Sequence, residues 1–174
     1  GEALYSQGAL NASSAELFFG PYTKMDRIME TGIAENTTEG GVVESDETRA
    51  RGFMDMLYRR SELSVQEVAK ALQPHLRPKE RWLDVGGGHG RYGEAMRVQS
   101  GVDITLFDRP VCVTIARERY GDTQEYIAGD FMKDPLGGPY DGALLSNIVH
   151  GLGYEENRVL FQRLASVIRP GGQL

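Results

Sequence analysis

The chain has 174 residues, a formal net charge of −6 and a pI of about 5.1, and this length corresponds to about one domain with a substantial apolar core. The acidic balance provides no positive surface for a phosphate backbone, so nucleic acid is not an expected partner. No apolar run approaches the roughly 20 residues of a membrane span, and the first residues do not resemble a secretory signal. We therefore expect a soluble, cytoplasmic protein that binds neither nucleic acid nor membranes.

The first 80 residues predict helices and a loop. Apolar residues between 17 and 29 recur at helical spacing and predict a helix that ends near Gly32. Residues 35–47 carry five acids and no base, which is typical of a solvated loop. Residues 48–76 carry a second apolar stripe that predicts two helices or one bent helix, and "SVQE" from Ser64 fits a capping box.

From Arg81 onward, short apolar runs alternate with helical patterns. The predicted strands are residues 81–85, 103–108, 124–128 and 140–149, and the predicted helices are residues 91–99, 110–120 and 154–168. Residues 169–174 predict a turn that leads into one more strand. This alternation favours an α/β fold, a parallel sheet with helices on both faces, in which ligands bind at the carboxyl ends of the strands. Cys112, the only cysteine, falls on a helix and is expected to be a buried structural thiol.

Four glycines occupy five positions in "GGGHG", directly after the first predicted strand. Glycine loses the most conformational entropy on folding, so such a cluster indicates a sharp bend or the close approach of a ligand. A dinucleotide fingerprint would require glycine or alanine at position 91, where Arg91 stands, and a nicotinamide oxidoreductase is therefore disfavoured. His89, inside the cluster, could cap the following helix or touch a ligand.

The segment instead matches the pattern acid-x-Gly-x-Gly-x-Gly at Asp84, Gly86, Gly88 and Gly90. This pattern looks like the first motif of S-adenosylmethionine-dependent methyltransferases. The bare glycines would let the backbone approach the amino-acid end of that cofactor. Asp84 would receive the cofactor's ammonium group, directly or through water.

Two further carboxylates follow the next predicted strands. Asp108 ends the second strand, where a carboxylate can hold a ribose, although an Asp before Pro can also start the helix that follows. Asp130 and Phe131 follow the third strand. They could accept a hydrogen bond from an adenine amino group and pack on its ring, or they could be a turn aspartate beside a core phenylalanine.

The order of "LDVGGGHG", "LFDRP", "GDFMKDPLGGPYDGALLSNIVHGLGYEE" and "LASVIRPGGQL" resembles small-molecule O-methyltransferases of the caffeic-acid and acetylserotonin type over roughly residues 53–174. The resemblance implies a Rossmann-like class I methyltransferase domain at residues 49–174, without the last strands of the usual sheet. Residues 1–48 would be a helical linker segment, the remnant of a dimerisation or substrate-capping region. The implied ligands are S-adenosylmethionine, with S-adenosylhomocysteine as product, and a small hydroxylated substrate that is expected to be aromatic. A homodimer or a partner chain is also implied.

The same resemblance implies roles for individual residues. Residues expected to contact the cofactor are Asp84, Gly86, Gly88, Asp108, Asp130, Phe131, Ser146 and Ser61. Ser61 would reach the methionine carboxylate. Ser146 stands where relatives carry a lysine. Phe53 would line the substrate pocket. His150 would remove the proton from the substrate hydroxyl, and the spacing of the three histidines predicts no metal site.

The neighbours of His150 depart from the family pattern. Relatives carry Asp and Trp after this histidine, whereas this chain carries Gly151 and Leu152. A methyltransferase-like module that binds the cofactor or a partner chain without catalysis is therefore the alternative hypothesis.

Overall fold

The computed structural model of the protein describes residues 25–31 and 47–174. Contacts divide the chain into two compact units, Gly1–Arg60 and Ser61–Leu174. The domain boundary expected from the sequence after residue 48 separates functions and not compact units, and it stays a prediction. Among the described residues, no helix combines the length and the apolar character needed to cross a membrane.

The first unit contains two described helices, α1 (Met25–Thr31) and α2 (Glu47–Arg60). α1 agrees with a helix that ends near Gly32, while the earlier part of that predicted helix and residues 35–46 of the predicted loop lie outside the described residues. α2 has four buried side chains, those of Ala50, Phe53, Met54 and Met56.

The second unit begins with α3 (Glu62–Leu72) and a short 3-10 helix, Gln73–His75. The remaining elements, in chain order, are β1 (Arg81–Val85), α4 (Arg91–Ser100), β2 (Asp103–Asp108), α5 (Pro110–Tyr120), β3 (Glu125–Ala128), β4 (Tyr140–Leu144), a 3-10 helix (Val149–Gly151), α6 (Tyr154–Val167) and β5 (Ile168–Gln173). Residues 48–76 therefore form two helices. The predicted capping box at Ser64 is wrong, because Ser64 lies inside α3 and Ser61 is the residue that precedes the helix.

The five strands form one parallel sheet in the order β3-β2-β1-β4-β5. This arrangement confirms the α/β class and the Rossmann-like order expected from the sequence. β4 is shorter than predicted, since Asn147 adopts a left-handed φ of 58° and a 3-10 turn follows. Residues 169–174 were expected to form a turn that leads into a strand, but β5 already begins at Ile168, the predicted last residue of the helix. β5 pairs with β4 at Tyr140–Ile168 and Gly142–Gln173, with an irregular register between them.

Alternate residues of the central strands face opposite layers of helices. On one face, Trp82, Ile104 and Leu106 pack with apolar residues of α3, α4 and α5. On the other face, the buried side chains of β1, β2 and β4 pack with Leu160 and Leu164 of α6. Helices therefore cover both faces of the sheet, and its carboxyl edge remains the place where the connecting loops meet.

Gly142 on β4 shows how closely the central strands pack. A Cβ built at Gly142 would lie 2.5–2.7 Å from three ring atoms of Trp82, which is itself 3% exposed. Any larger residue at position 142 would push the indole out of its place on β1.

Candidate cofactor-binding and catalytic site

Four segments leave the sheet at the carboxyl ends of neighbouring strands. They are the glycine loop (residues 86–90) after β1, Asp108 at the end of β2, residues 129–131 after β3 and residues 145–151 after β4. Because all strands run in the same direction, these segments lie along one edge of the sheet. The residues singled out within them are therefore placed on the ligand-binding side of the fold.

The glycine loop begins at Gly86, whose φ is +63°. Its amide donates to the Phe107 carbonyl at 2.8 Å and extends the pairing of β1 with β2. A Cβ built at Gly86 would lie 2.2 Å from Cδ1 of Ile148 and 3.6 Å from Cε1 of Phe131. Because Gly86 has no side chain, Ile148 can pack against the backbone there, a contact that was not predicted from the sequence. Phe131 lies beside the same position.

Asp108 joins the glycine loop to the start of α5. Its Oδ2 accepts a hydrogen bond from the Gly88 amide at 2.6 Å, and its Oδ1 accepts one from the Arg109 amide at 2.6 Å. Burial raises the pKa of this carboxyl, while the same two amides favour its charged form. Arg109, not Asp108, is the N-cap residue of α5, so the interpretation of Asp108 as the helix cap is wrong in that detail.

Asp84 lies on the face of β1 that carries α4, and it is 1% exposed. Among the described residues, neither of its carboxyl oxygens has a hydrogen-bond partner. Cβ atoms built at Gly87 and Gly93 would lie 2.7 and 2.9 Å from Oδ2. Burial, followed by the nearby charge of Asp108, raises the pKa of Asp84 to about 7; the Gly93 amide opposes this without forming a well-aligned hydrogen bond. A buried carboxyl without a partner is costly, and such groups are concentrated at functional sites.

Gly93 was not singled out in the sequence. It is buried in the first turn of α4, where a Cβ would lie 2.9 Å from Cγ2 of Ile104. Gly93, two residues after Arg91, therefore provides the close packing of α4 on β2.

Asp130 and Phe131 follow β3 as expected. Asp130 accepts a hydrogen bond from the Met132 amide at 2.9 Å and pairs with Lys133 at 3.1 Å. Burial raises the pKa of Asp130, but the Met132 amide and the Lys133 ammonium outweigh it and hold this pKa below its usual value. Phe131 is half-buried against the apolar cluster on the α6 side of the sheet. The adenine contacts expected for both residues stay predictions.

His150 is exposed and lies in the 3-10 turn Val149–Gly151, while Ser146 is half-buried just after β4. The side-chain amide of Asn157 donates to the carbonyls of Val149 and Leu152, at 2.9 and 3.1 Å. These two carbonyls bracket His150, so Asn157 fixes the turn that carries it. This role of Asn157 could not be predicted from the sequence, because a polar residue in the first turns of a helix is common.

His89 is 5% exposed, and its Nδ1 accepts a hydrogen bond from the Arg91 amide at 3.2 Å. Burial, then the charges of Arg119 and Arg91, lowers the pKa of His89 to about 4. A neutral imidazole is the form that can accept this bond. His89 therefore accepts a backbone amide at the start of α4, although Gly90 is the N-cap residue, and a contact of His89 with a ligand stays a prediction.

Ser61 is buried and directly precedes α3, and Phe53 is buried in α2. Their expected contacts with cofactor and substrate stay predictions.

Cys112 is buried in α5, as expected. Within residues 25–31 and 47–174, no group of three or more His, Cys, Asp or Glu side chains is arranged to hold a metal ion.

Comparisons with known proteins agree with this architecture. The sequence pattern of the O-methyltransferase domain matches residues 34–174. Human acetylserotonin O-methyltransferase is 33% identical over 94 residues, which are 51% of this chain and 27% of that protein. The 3-hydroxy-5-methyl-1-naphthoate 3-O-methyltransferase of Streptomyces sahachiroi is 29% identical over 130 residues, 71% of this chain and 37% of that protein.

Among solved structures, human N-acetylserotonin methyltransferase in complex with S-adenosylmethionine superposes with a TM-score of 0.72 and 22% identity, over 92% of this chain and 48% of that one. The chain thus spans about a third of the length of the curated relatives and half of this solved chain. The family pattern nevertheless extends over most of the 174 residues and includes the whole candidate site. This chain belongs to the O-methyltransferase family.

Proposed function

We propose that the chain is the cofactor-binding part of an S-adenosylmethionine-dependent O-methyltransferase that acts on a hydroxyl of a small aromatic molecule. The observation that carries this proposal is the anchored glycine loop, in which the Gly88 amide is bonded to Asp108 at the carboxyl edge of the sheet. Family membership supplies the reaction class. The aromatic substrate is proposed from the relatives, which are named for acetylserotonin and a hydroxynaphthoate.

The residues present fit the cofactor. The buried, unpartnered carboxyl of Asp84 suits a cationic ammonium group, and we propose that it acts through water, because its oxygens lie beneath Gly87. The Asp108 carboxylate accepts the amides of Gly88 and Arg109 and also interacts with the Cys112 thiol. Two carboxylate oxygens offer about four acceptor positions, so we propose that one of them accepts a ribose hydroxyl. Gly86, Asp130, Phe131, Ser146 and Ser61 complete the proposed set of contacts.

When bound, the cofactor supplies an electrophilic methyl group on a sulfonium sulfur. His150 is proposed to take the proton from the substrate hydroxyl. A phenol has a pKa of about 10 and a free imidazole one of about 6.5, so complete proton transfer before attack is unfavourable. A positioned base avoids this step by accepting the proton as the methyl group moves. The Asn157 bonds to Val149 and Leu152 hold the His150 turn for this purpose.

Two measurements test the proposal. Isothermal titration with S-adenosylmethionine should show binding that Asp108→Ala weakens, and absence of binding by the folded wild type would contradict the cofactor assignment. Transfer of a labelled methyl group to acetylserotonin and to 3-hydroxy-5-methyl-1-naphthoate should then fall about 100-fold or more in His150→Ala, the usual contribution of a general base. His75→Ala is the matched control, since His75 is an exposed histidine outside the proposed site.

A non-catalytic cofactor-binding module is the second candidate. Gly151 and Leu152 follow His150 where relatives carry Asp and Trp, and His150 is exposed. This candidate predicts that the wild type binds S-adenosylmethionine but transfers no methyl group, and that His150→Ala binds the cofactor like the wild type. A homodimer or a partner chain is part of either proposal and is tested by light scattering at several protein concentrations.

A further inference from the structure

Tyr92 lies in the first turn of α4, two residues after the glycine loop ends. Its hydroxyl is 2.9 Å from Oγ of Ser64 in α3, and both side chains are half-buried. Oγ of Ser64 is also 3.2 Å from the carbonyl oxygen of Ser61. A chain of two hydrogen bonds therefore runs from the helix behind the glycine loop to the residue that starts α3.

The directions of these two bonds follow from their chemistry. A carbonyl oxygen can only accept, so the single proton of the Ser64 hydroxyl points to Ser61. The Tyr92 hydroxyl must then donate to Ser64. Loss of the Tyr92 hydroxyl would leave Ser64 with its bond to Ser61 but without this hydrogen bond to α4.

Ser61 is held on its own helix as well. Its carbonyl also accepts the Val65 amide at 2.8 Å, which is the first backbone bond around α3. Ser61 is 6% exposed, and its backbone angles are helical, with φ −77° and ψ −1°. The carbonyl of Ser61 is therefore tied to α3 through the Val65 amide and to α4 through Ser64 and Tyr92.

We propose that Tyr92 and Ser64 are positioning residues that fix Ser61 relative to the glycine loop. The inference rests on the proposed function, in which Ser61 and the loop both hold the amino-acid end of S-adenosylmethionine. Because Tyr92 follows Gly90 by two residues, a shift of α4 against α3 would change the spacing between these two contacts. Placement errors of this kind weaken ligand binding although every contact residue is still present.

The same two helices provide a matched control. Nε2 of Gln99 donates to Oε1 of Gln66 at 2.9 Å, in an exposed hydrogen bond near the far end of α4. Gln99→Ala removes a bond between α3 and α4 without touching the turn that carries Ser61. A purely structural role of the Tyr92 bond predicts that both variants affect stability and leave cofactor affinity unchanged.

The experiment compares S-adenosylhomocysteine binding by titration calorimetry with thermal unfolding for the wild type, Tyr92→Phe, Ser64→Ala, Ser64→Thr and Gln99→Ala. We expect about three- to tenfold weaker binding for Tyr92→Phe and Ser64→Ala, the range that one net hydrogen bond supplies. Ser64→Thr, which keeps the hydroxyl, should restore most of the affinity, and Gln99→Ala should bind like the wild type. Tyr92→Phe combined with Ser64→Ala should be no weaker than Ser64→Ala alone.

Wild-type affinity in a folded Tyr92→Phe variant would overturn the inference while leaving the proposed function intact. Equal losses of affinity in Tyr92→Phe and Gln99→Ala would overturn it too, because they would reflect general loosening of α3 against α4. A folded wild type that does not bind S-adenosylhomocysteine would instead overturn the proposed function, and the inference with it.

Discussion

The backbone amide of Gly88 and the carboxylate of Asp108 form a 2.6 Å hydrogen bond that ties the glycine loop to the end of β2. Asp108 thereby shapes the loop in addition to any contact with a ribose. A carboxylate suits this position, because two backbone amides, those of Gly88 and Arg109, both point to it. This arrangement links the two motifs that the sequence placed at neighbouring strand ends.

Asp108→Asn should weaken S-adenosylmethionine binding at least tenfold. The amide group of asparagine can accept from only one of the two backbone amides, and its nitrogen would face the other donor. Bonds to a charged group contribute about 1.5–3 kcal/mol, which corresponds to roughly tenfold or more in affinity. Titration calorimetry measures the change. Asp103→Asn, at the exposed start of the same strand, should bind like the wild type.

Gly86→Ala should lower the free energy of unfolding by about 2–4 kcal/mol. Its left-handed φ of +63° costs a non-glycine residue about 1–2 kcal/mol, and the clash with Ile148 adds a similar amount. Urea unfolding gives the value. Combining Gly86→Ala with Ile148→Ala should cost less than the sum of the two single changes, because the double variant removes the clash. Strict additivity would show that Ile148 does not press on position 86.

Asn157→Ala should speed amide hydrogen exchange in the turn that carries His150. The variant removes the two bonds to the carbonyls of Val149 and Leu152, which support the weak 3-10 bonds of the turn. Exchange measured by mass spectrometry should rise in residues 149–153 and stay constant in β1. Gln162→Ala, an exposed change on the same helix, is the control. Unchanged exchange in the turn would show that the Asn157 bonds do not hold it.

Asp84→Asn should remove a pH dependence of stability. The folded pKa of about 7 lies above the ordinary value of 3.8, so the folded state binds more protons between these values, and the free energy of unfolding falls as pH rises through this window. The steepest slope expected from one proton is about 1.4 kcal/mol per pH unit. Urea unfolding of the wild type and Asp84→Asn from pH 5 to 8 should show the variant gaining relative stability with pH. A constant difference across this range would contradict the raised pKa.

The sheet and its carboxyl edge were predictable from the sequence, because apolar runs alternate with helical patterns and carboxylates or glycines follow the strands. The over-long prediction for β4 had a physical cause. Apolar residues resume at Ile148 and Val149 after Ser146 and Asn147, which suggested a longer strand. Ile148 instead reaches the core from a loop, after the left-handed turn at Asn147. Periodicity alone cannot distinguish a buried strand from a loop that inserts its side chains.

Long-range side-chain pairs were the part that the sequence could not supply. Tyr92 bonds to Ser64, 28 positions earlier, and Asn157 bonds to carbonyls on either side of His150. Tyr92 and Asn157 belong to no predicted motif, and Ser64 was assigned to a capping box that does not form. Each of the three side chains could equally have faced solvent. The candidate contacts are set by motifs and strand ends, whereas the groups that hold them in place emerge only from the packing of one helix on another.

Trp82 is the chain's only tryptophan, and its ring lies against Gly142 at the centre of the sheet. Its fluorescence is therefore an intrinsic probe of one defined contact, that between β1 and β4. Solvent entry there would move the emission to longer wavelength, whereas local opening of the glycine loop or of the His150 turn would leave the spectrum unchanged. Tryptophan fluorescence can thus distinguish separation of β1 from β4 from motion of the loops at the carboxyl edge of the sheet, without an attached dye.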